Sequence, residues 1–226
     1  MTAVTHQRQP VRRSAPRPES WWGRAFLRAI EEAAYDDGQL AAARALARSG
    51  RIAGLVVDAG SVAAAVDADG GLWTVTVALP VLDDASAAAF LEVLSTDHHR
   101  LDAVLAGGLP HDLVEHAEEA GVELVPYGGE LGAACTCRHW HDVCVHALAV
   151  LHQLAWLVDR DAQVLLHLRG VPRDELLARL RRVAVPAADL LGSYPDSRDA
   201  AAGSEVDEVE IAFDAALRAR RLLADG

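Results

Sequence analysis

Twelve residues, Cys135 to His146 (CTCRHWHDVCVH), hold all three cysteines of a chain of 226 residues. A thiolate is a soft ligand for zinc, and a structural zinc takes four sulfur or nitrogen ligands arranged as a tetrahedron. Cys135, Cys137, Cys144 and His146 form such a set, spaced as C-x-C, six residues, then C-x-H. His139 and His141 lie in the same window and compete for the fourth position. The C-x-H spacing and the apolar run that follows it favour His146, which leaves the two loop histidines behind the ligands or on the surface.

Three other chemistries would use the same residues. A disulfide framework prefers an even count spread over a small secreted chain, whereas this count is odd and the spacing cramped. A cysteine nucleophile or redox thiol, Cys135 or Cys137, needs one activated sulfur with a base nearby and leaves the clustering of three thiols unexplained. A cluster of small buried apolar residues is the plainest reading. Zinc accounts for all three thiols together, and a cysteine-dependent enzyme or redox protein is the alternative.

The elements that carry these residues follow from the spacing. On a strand, residues two apart face the same side, so C-x-C converges if it lies on a strand or hairpin end. On a helix, residues two apart point about 200° apart, so Cys144 and His146 cannot both sit inside regular helix and converge. Cys144 therefore belongs at a loop-to-helix junction with His146 in the first turn, where the helix N-terminus favours thiolate charge.

These residues and their surroundings resemble the SWIM-type zinc fingers, whose pattern is C-x-C, a variable gap, then C-x-H leading into a helix. Cys135-Thr136-Cys137 and Cys144-Val145-His146 match it, and the stretch from Ala147 to Leu180 looks like the helical continuation of bacterial members. The segments SWWGRAF and ARALARSGR are also similar to that group, so the resemblance covers roughly residues 20 to 182. Members often have Pro before the third cysteine and Lys after it, where this chain has Val143 and Val145. The resemblance implies a non-enzymatic zinc module that binds a protein partner or nucleic acid, such modules occurring with Swi/Snf-type helicases, transposases and signalling proteins.

Along the rest of the chain the pattern is α+β. Residues 1–19 read as a disordered Arg/Pro-rich tail and residues 20–130 as an α+β region. Ser20 caps a helix bearing Trp22, Phe26, Ile30 and Ala33 at helical spacing, with Trp21 and Trp22 as core anchors. A second helix spans Gln39 to Arg48. Short β-branched runs from Arg51, Ser61 and Leu72, separated by Ala-Gly and Asp-Gly-Gly turns, predict a three-strand antiparallel meander. Helices are expected over Asp83–Ser95, Asp97–Ala106 and Pro110–Ala120, and a strand over Val122–Val125. The adjacent His98 and His99 diverge on a helix and read as surface residues. Residues 131–182 form the zinc module, a β-hairpin and α-helix with a helical extension; residues 183–226 form a linker and a C-terminal helix over Glu208–Leu223. Loss of a ligand is expected to loosen residues 131–182 far more than the sheet around Leu55–Val77.

Composition narrows the function further. The chain carries 33 acidic residues against 21 basic ones, every basic residue is arginine, and the net charge is −12. The balance is +5 over residues 1–28, −14 over 29–130, +2 over 131–182 and −5 beyond. An acidic chain is repelled by phosphate backbones, so nucleic acid would have to meet Arg138, Arg169, Arg173, Arg179, Arg181 and Arg182. Charge and the missing Lys tilt the expectation toward a protein partner. The sequence has no P-loop, no G-x-S-x-G and no H-E-x-x-H, so no small-molecule substrate is expected. No apolar run reaches the ~18 residues of a membrane span, and the reading is a cytoplasmic protein with no membrane contact.

Overall fold

The computed structural model describes residues 3–138 and 143–178. They form an α+β fold in which one buried helix and its neighbours cover one face of an antiparallel sheet. The strands are β1 (Val4–Thr5), β2 (Val56–Asp58), β3 (Ser61–Ala68), β4 (Gly71–Ala78) and β5 (Gly132–Cys135), and they lie in that order across the sheet. Strands β3 and β4 make a long hairpin from Ser61 opposite Ala78 to Ala68 opposite Gly71. Its two turn residues, Asp69 (φ 50°) and Gly70 (φ 72°), both lie at positive φ. That is the geometry of the type I′ turn, which matches the twist of a hairpin and which Asp-Gly adopts readily. Alternation puts Val62, Ala64, Val66, Val75 and Val77 on the covered face.

The sheet is wider than the three-strand meander read from the sequence, because a strand is added at each edge. Strand β5 pairs with β4, Cys135 facing Val75 and Gly132 facing Ala78. The metal segment is therefore continuous with the N-terminal sheet. At the other edge β1 pairs with β2, Val4 opposite Val57. Residues from 3 onward, within the stretch whose composition reads as a disordered tail, run along this edge. The His6 amide donates to the Leu55 carbonyl at 2.7 Å, the Arg12 amide to Arg48 O at 2.9 Å, and the Arg8 guanidinium caps the Gly50 carbonyl. The Arg12 guanidinium lies 5.6 Å from the Trp156 ring centroid. The segment is held by its backbone and by arginines, which an apolar count does not register.

The helices are α1 (Trp21–Ala33), α2 (Asp37–Ala47), α3 (Asp84–Ser95), α4 (His98–Leu105), α5 (His111–Glu119), α6 (Val145–Arg160) and α7 (Ala162–Leu168), with a 3-10 turn at Gly128–Glu130. Ser20, Asp36, Asp83, Asp97 and Asp161 each accept a backbone N–H at a helix start, so the Ser/Asp signals in the sequence place these N-termini. Helix α6 is the centre of the fold. Leu148, Ala149, Val150, Leu151 and Leu154 are fully buried, and even Gln153 is enclosed, donating to the Ala47 carbonyl at the end of α2 at 2.6 Å. His152 is buried with them, and burial pushes its pKa down to about 4, so it is neutral at pH 7.

Residues 122–125 are not a strand. Val122 and Leu124 do alternate inward, but the Glu123 carbonyl is taken by a side chain, Arg169, in place of a ladder partner. Beyond α7, residues 173–178 are helical, consistent with the helix expected from Pro172. The stretch read as linker and C-terminal helix lies outside the described residues.

Trp21 and Trp22 anchor α1 against the core. Their indole N–H groups donate to Leu109 O and Val158 O, each at 2.8 Å. Asp159, near the end of α6, accepts from the Ser20 amide at 2.9 Å and the Ser20 hydroxyl at 2.7 Å. Gly23 permits this approach, since a Cβ there would lie 2.8 Å from Asp159 Cβ and closer still to Oδ1. Gly23→Ala is expected to cost about 2 kcal/mol through overpacking and loss of the Asp159 contacts. In a chain of this size that lowers the thermal midpoint by roughly 4 to 8 °C. A calorimetric scan checks it, and an unchanged midpoint contradicts the account.

Candidate metal centre

Strand β5 with its continuation and the start of α6 deliver the four candidate ligands. Cys135 ends β5, directly across from Val75, so its side chain shares the covered face of the sheet. Pairing continues one residue further, with the Thr136 amide donating to Thr74 O at 3.1 Å and the Thr74 amide to Thr136 Oγ1 at 3.0 Å. Cys137 follows two residues on and returns to that side. Cys144 is the N-cap of α6, its carbonyl accepting from the Leu148 amide at 2.9 Å, and His146 lies in the first turn. The sequence predicts a β-hairpin followed by a helix; among the described residues a single strand, β5, joins β4 of the N-terminal sheet, and α6 begins at Val145 as the C-x-H spacing requires. The reach between the two halves is held from α2, where Gln39 Nε2 donates to the Val143 carbonyl at 2.8 Å, next to Cys144.

The four ligand atoms all lie within 4.8 Å of one another. His146 Nδ1 is 3.8 Å from Cys135 Sγ and 4.0 Å from Cys144 Sγ. Zinc–sulfur bonds of about 2.3 Å in a tetrahedron put neighbouring ligands about 3.7 Å apart, so the spacing fits that ion. Cys144 and His146 are buried and Cys135 and Cys137 partly so. The donor set is soft and lacks a carboxylate, as a structural zinc prefers. When bound, the ion would cross-link the sheet edge to the start of α6.

Burial governs the protonation of the thiols. Desolvation pushes Cys135 up from 9.0 to about 12 and raises Cys144 as well. Cys135 and Cys144 are thus neutral thiols at pH 7 in the metal-free site, and metal entry must release their protons. Zinc affinity is therefore expected to fall as pH falls, by about tenfold per pH unit for each of these protons released. For the metal-free protein the sign is opposite. Folded thiols keep their protons above the unfolded pKa, so stability declines as pH rises past about 9. Competition titrations with a chelator between pH 6 and 8 check the first trend, and an affinity independent of pH contradicts it.

Two residues at the site carry no metal-ligand signal in the sequence. Asp69, in the β3–β4 turn, places Oδ2 3.3 Å from His146 Nε2. Trp73 on β4 stacks on the His146 ring, centroids 5.8 Å apart and planes 28° from parallel, while its indole N–H donates to Ala68 O at 3.0 Å. Asp69-Gly70 reads only as a turn, and nothing in its spacing links it to a histidine 77 positions later.

Of the three candidate arginines among the described residues, only Arg138 lies beside the metal centre. Arg169 is buried, a correction to its reading as a nucleic-acid contact. Its guanidinium donates to Pro80 O at 2.7 Å and Glu123 O at 2.6 Å, with Glu130 at 3.7 Å, because it ties three loops together. Arg173 is exposed and donates to Leu105 O at 2.9 Å. Arg138 is exposed beside Cys137. His139, His141, Arg179, Arg181 and Arg182 lie outside the described residues. His98 and His99 are exposed on α4, away from any cluster of metal-ligating residues among those described.

Strand, helix start and a Cys3His donor set define a zinc-binding module. The SWIM zinc finger model matches residues 120–155, a segment that takes in all four donors. SWIM zinc fingers are a non-catalytic module family. The chain is also similar to the uncharacterized protein Rv2102 of Mycobacterium tuberculosis, 29% identical over 177 residues, 76% of this chain and 64% of that protein. The match thus spans a little under two thirds of the relative's length. No solved structure matches the chain. Among the described residues no helix is long and apolar enough to cross a membrane.

Proposed function

We propose that the chain is a non-enzymatic zinc-stabilised module that docks a protein partner. The observation that carries this reading is the donor set, four ligand atoms within 4.8 Å of one another: three sulfurs and one imidazole would fill the tetrahedron of a bound zinc and leave no coordination position for a substrate. A module of this kind acts by shape, its metal holding one end of the sheet against α6. A Swi/Snf-type helicase is one candidate partner by analogy with the family. Three thiols intended for zinc also suit a reducing, cytoplasmic compartment.

Protein is favoured over nucleic acid by charge. The net charge is −12, Arg169 is enclosed, and Arg173 is already engaged with a backbone carbonyl. Affinity purification from the native host with and without nuclease tests this choice, together with titration against duplex and single-stranded DNA at low salt. The expected result is a partner retained after nuclease and no DNA binding at micromolar concentration. Capture lost with nuclease, with a DNA affinity falling steeply with salt, would establish the nucleic-acid reading instead.

A further inference from the structure

We infer that Asp69, at the tip of the β3–β4 hairpin, is a positioning residue for the zinc: its carboxylate holds His146 with Nδ1 turned to the metal. This rests on the zinc reading and extends it to a residue outside the C-x-C and C-x-H pairs. His146 has two ring nitrogens with distinct surroundings. Nδ1 faces the sulfurs of Cys135 and Cys144, and Nε2 faces Asp69 Oδ2 at 3.3 Å. A histidine that ligates through one nitrogen commonly donates its other N–H to a carboxylate, which sets the tautomer, aims the ring and makes the ligand more basic. The ring is only 2% exposed whereas the Asp69 side chain is 77% exposed, so the carboxylate approaches the buried ring from the solvent side. Trp73 supplies a face for the ring to lie on, and the carboxylate supplies the direction.

The hairpin turn is built to deliver that carboxylate. Asp69 sits at φ 50°, among the described residues the only one other than glycine at positive φ. Asp and Asn tolerate this region better than other side chains, so turn chemistry alone would also select Asp there. The two roles separate by substitution. Asp69→Gly keeps the positive φ and the turn while removing the carboxylate, and Asp69→Asn keeps the turn together with an uncharged acceptor oxygen.

The experiment compares the full-length wild type with both variants. Zinc affinity is measured by competition with a chromophoric chelator at fixed pH, thermal midpoints are taken with and without zinc, and the His146 ring nitrogens are followed by long-range 1H–15N spectra. Asp69→Gly is expected to weaken zinc about tenfold. The zinc-loaded midpoint should fall by more than the metal-free one, and Asp69→Asn should recover part of the affinity. In the zinc-loaded wild type the His146 proton should sit on Nε2. An Asp69→Gly chain that binds zinc as tightly as wild type, or whose two midpoints fall equally, overturns the inference and leaves the zinc reading intact. A wild type that takes up no zinc overturns both.

Discussion

Cys144→Ser is expected to abolish zinc retention and to lower the thermal midpoint of the zinc-loaded chain by roughly 8 to 16 °C. Removing a ligand that sits at a thousandfold excess over its dissociation constant costs about 4 kcal/mol by mass action. A chain of this size converts each kcal/mol into about 2 to 4 °C. The substitution itself is nearly isosteric, and Cys144 makes no side-chain cap, so the effect reports the metal and not a lost helix start. Hydrogen exchange should locate it. Protection should fall at β5 and its continuation to Cys137, and over the first turn of α6. It should persist in β3 and along α6 from Leu151 to Val158, because those residues lie in the main core regardless of metal. The sequence led to the expectation that residues 131–182 would loosen as a block. The burial of α6 against α1 and α2 confines the effect to the cross-linked end. Equal midpoints for wild type and variant in the presence of zinc would contradict this.

Arg169→Met is expected to destabilise the fold by about 3 to 5 kcal/mol, as breaking a buried charge interaction on one side typically does. Arg169 is 4% exposed, and burial lowers its pKa, while Glu130 and Glu123 act in the opposite direction and favour the charge. Methionine fills much of the volume but leaves the carbonyls of Pro80 and Glu123 without their donor and Glu130 without its cation. Charged hydrogen bonds contribute about 1.5 to 3 kcal/mol each, more than the better packing of an apolar chain returns. Chemical denaturation monitored by tryptophan fluorescence measures the loss. Zinc stoichiometry should be unchanged, since Arg169 touches none of the four donors. A loss below about 1 kcal/mol would show that the guanidinium is dispensable to the loops it joins.

Local signals carried much of this structure. The Ser and Asp caps, the 3.6-residue spacing in α1 and the period-two run through β3 and β4 are properties of neighbouring residues, and they appear where their chemistry puts them. The constraint that C-x-H cannot converge inside a helix was enough to set Cys144 at the junction and His146 in the first turn. Features that depend on distant partners were illegible. Strand β1 has two residues and is ordered by pairing with β2 more than fifty positions away, so its composition resembles a free tail. Arg169 looked like one of a basic cluster because a sequence cannot show that the Pro80 and Glu123 carbonyls and the Glu130 carboxylate surround it. Val122–Val125 alternates like a strand without having an edge to join. Asp69 announced only a turn, since its proximity to His146 arises from the hairpin folding over the start of α6.

Metal analysis of the full-length protein after exhaustive dialysis, paired with thiol alkylation under native conditions, tests the central claim most directly. The account predicts one zinc per chain, three thiols shielded from alkylation until a chelator is added, and no metal in Cys144→Ser. A metal-free wild type with one readily alkylated cysteine would contradict it and favour a reactive thiol at Cys135 or Cys137.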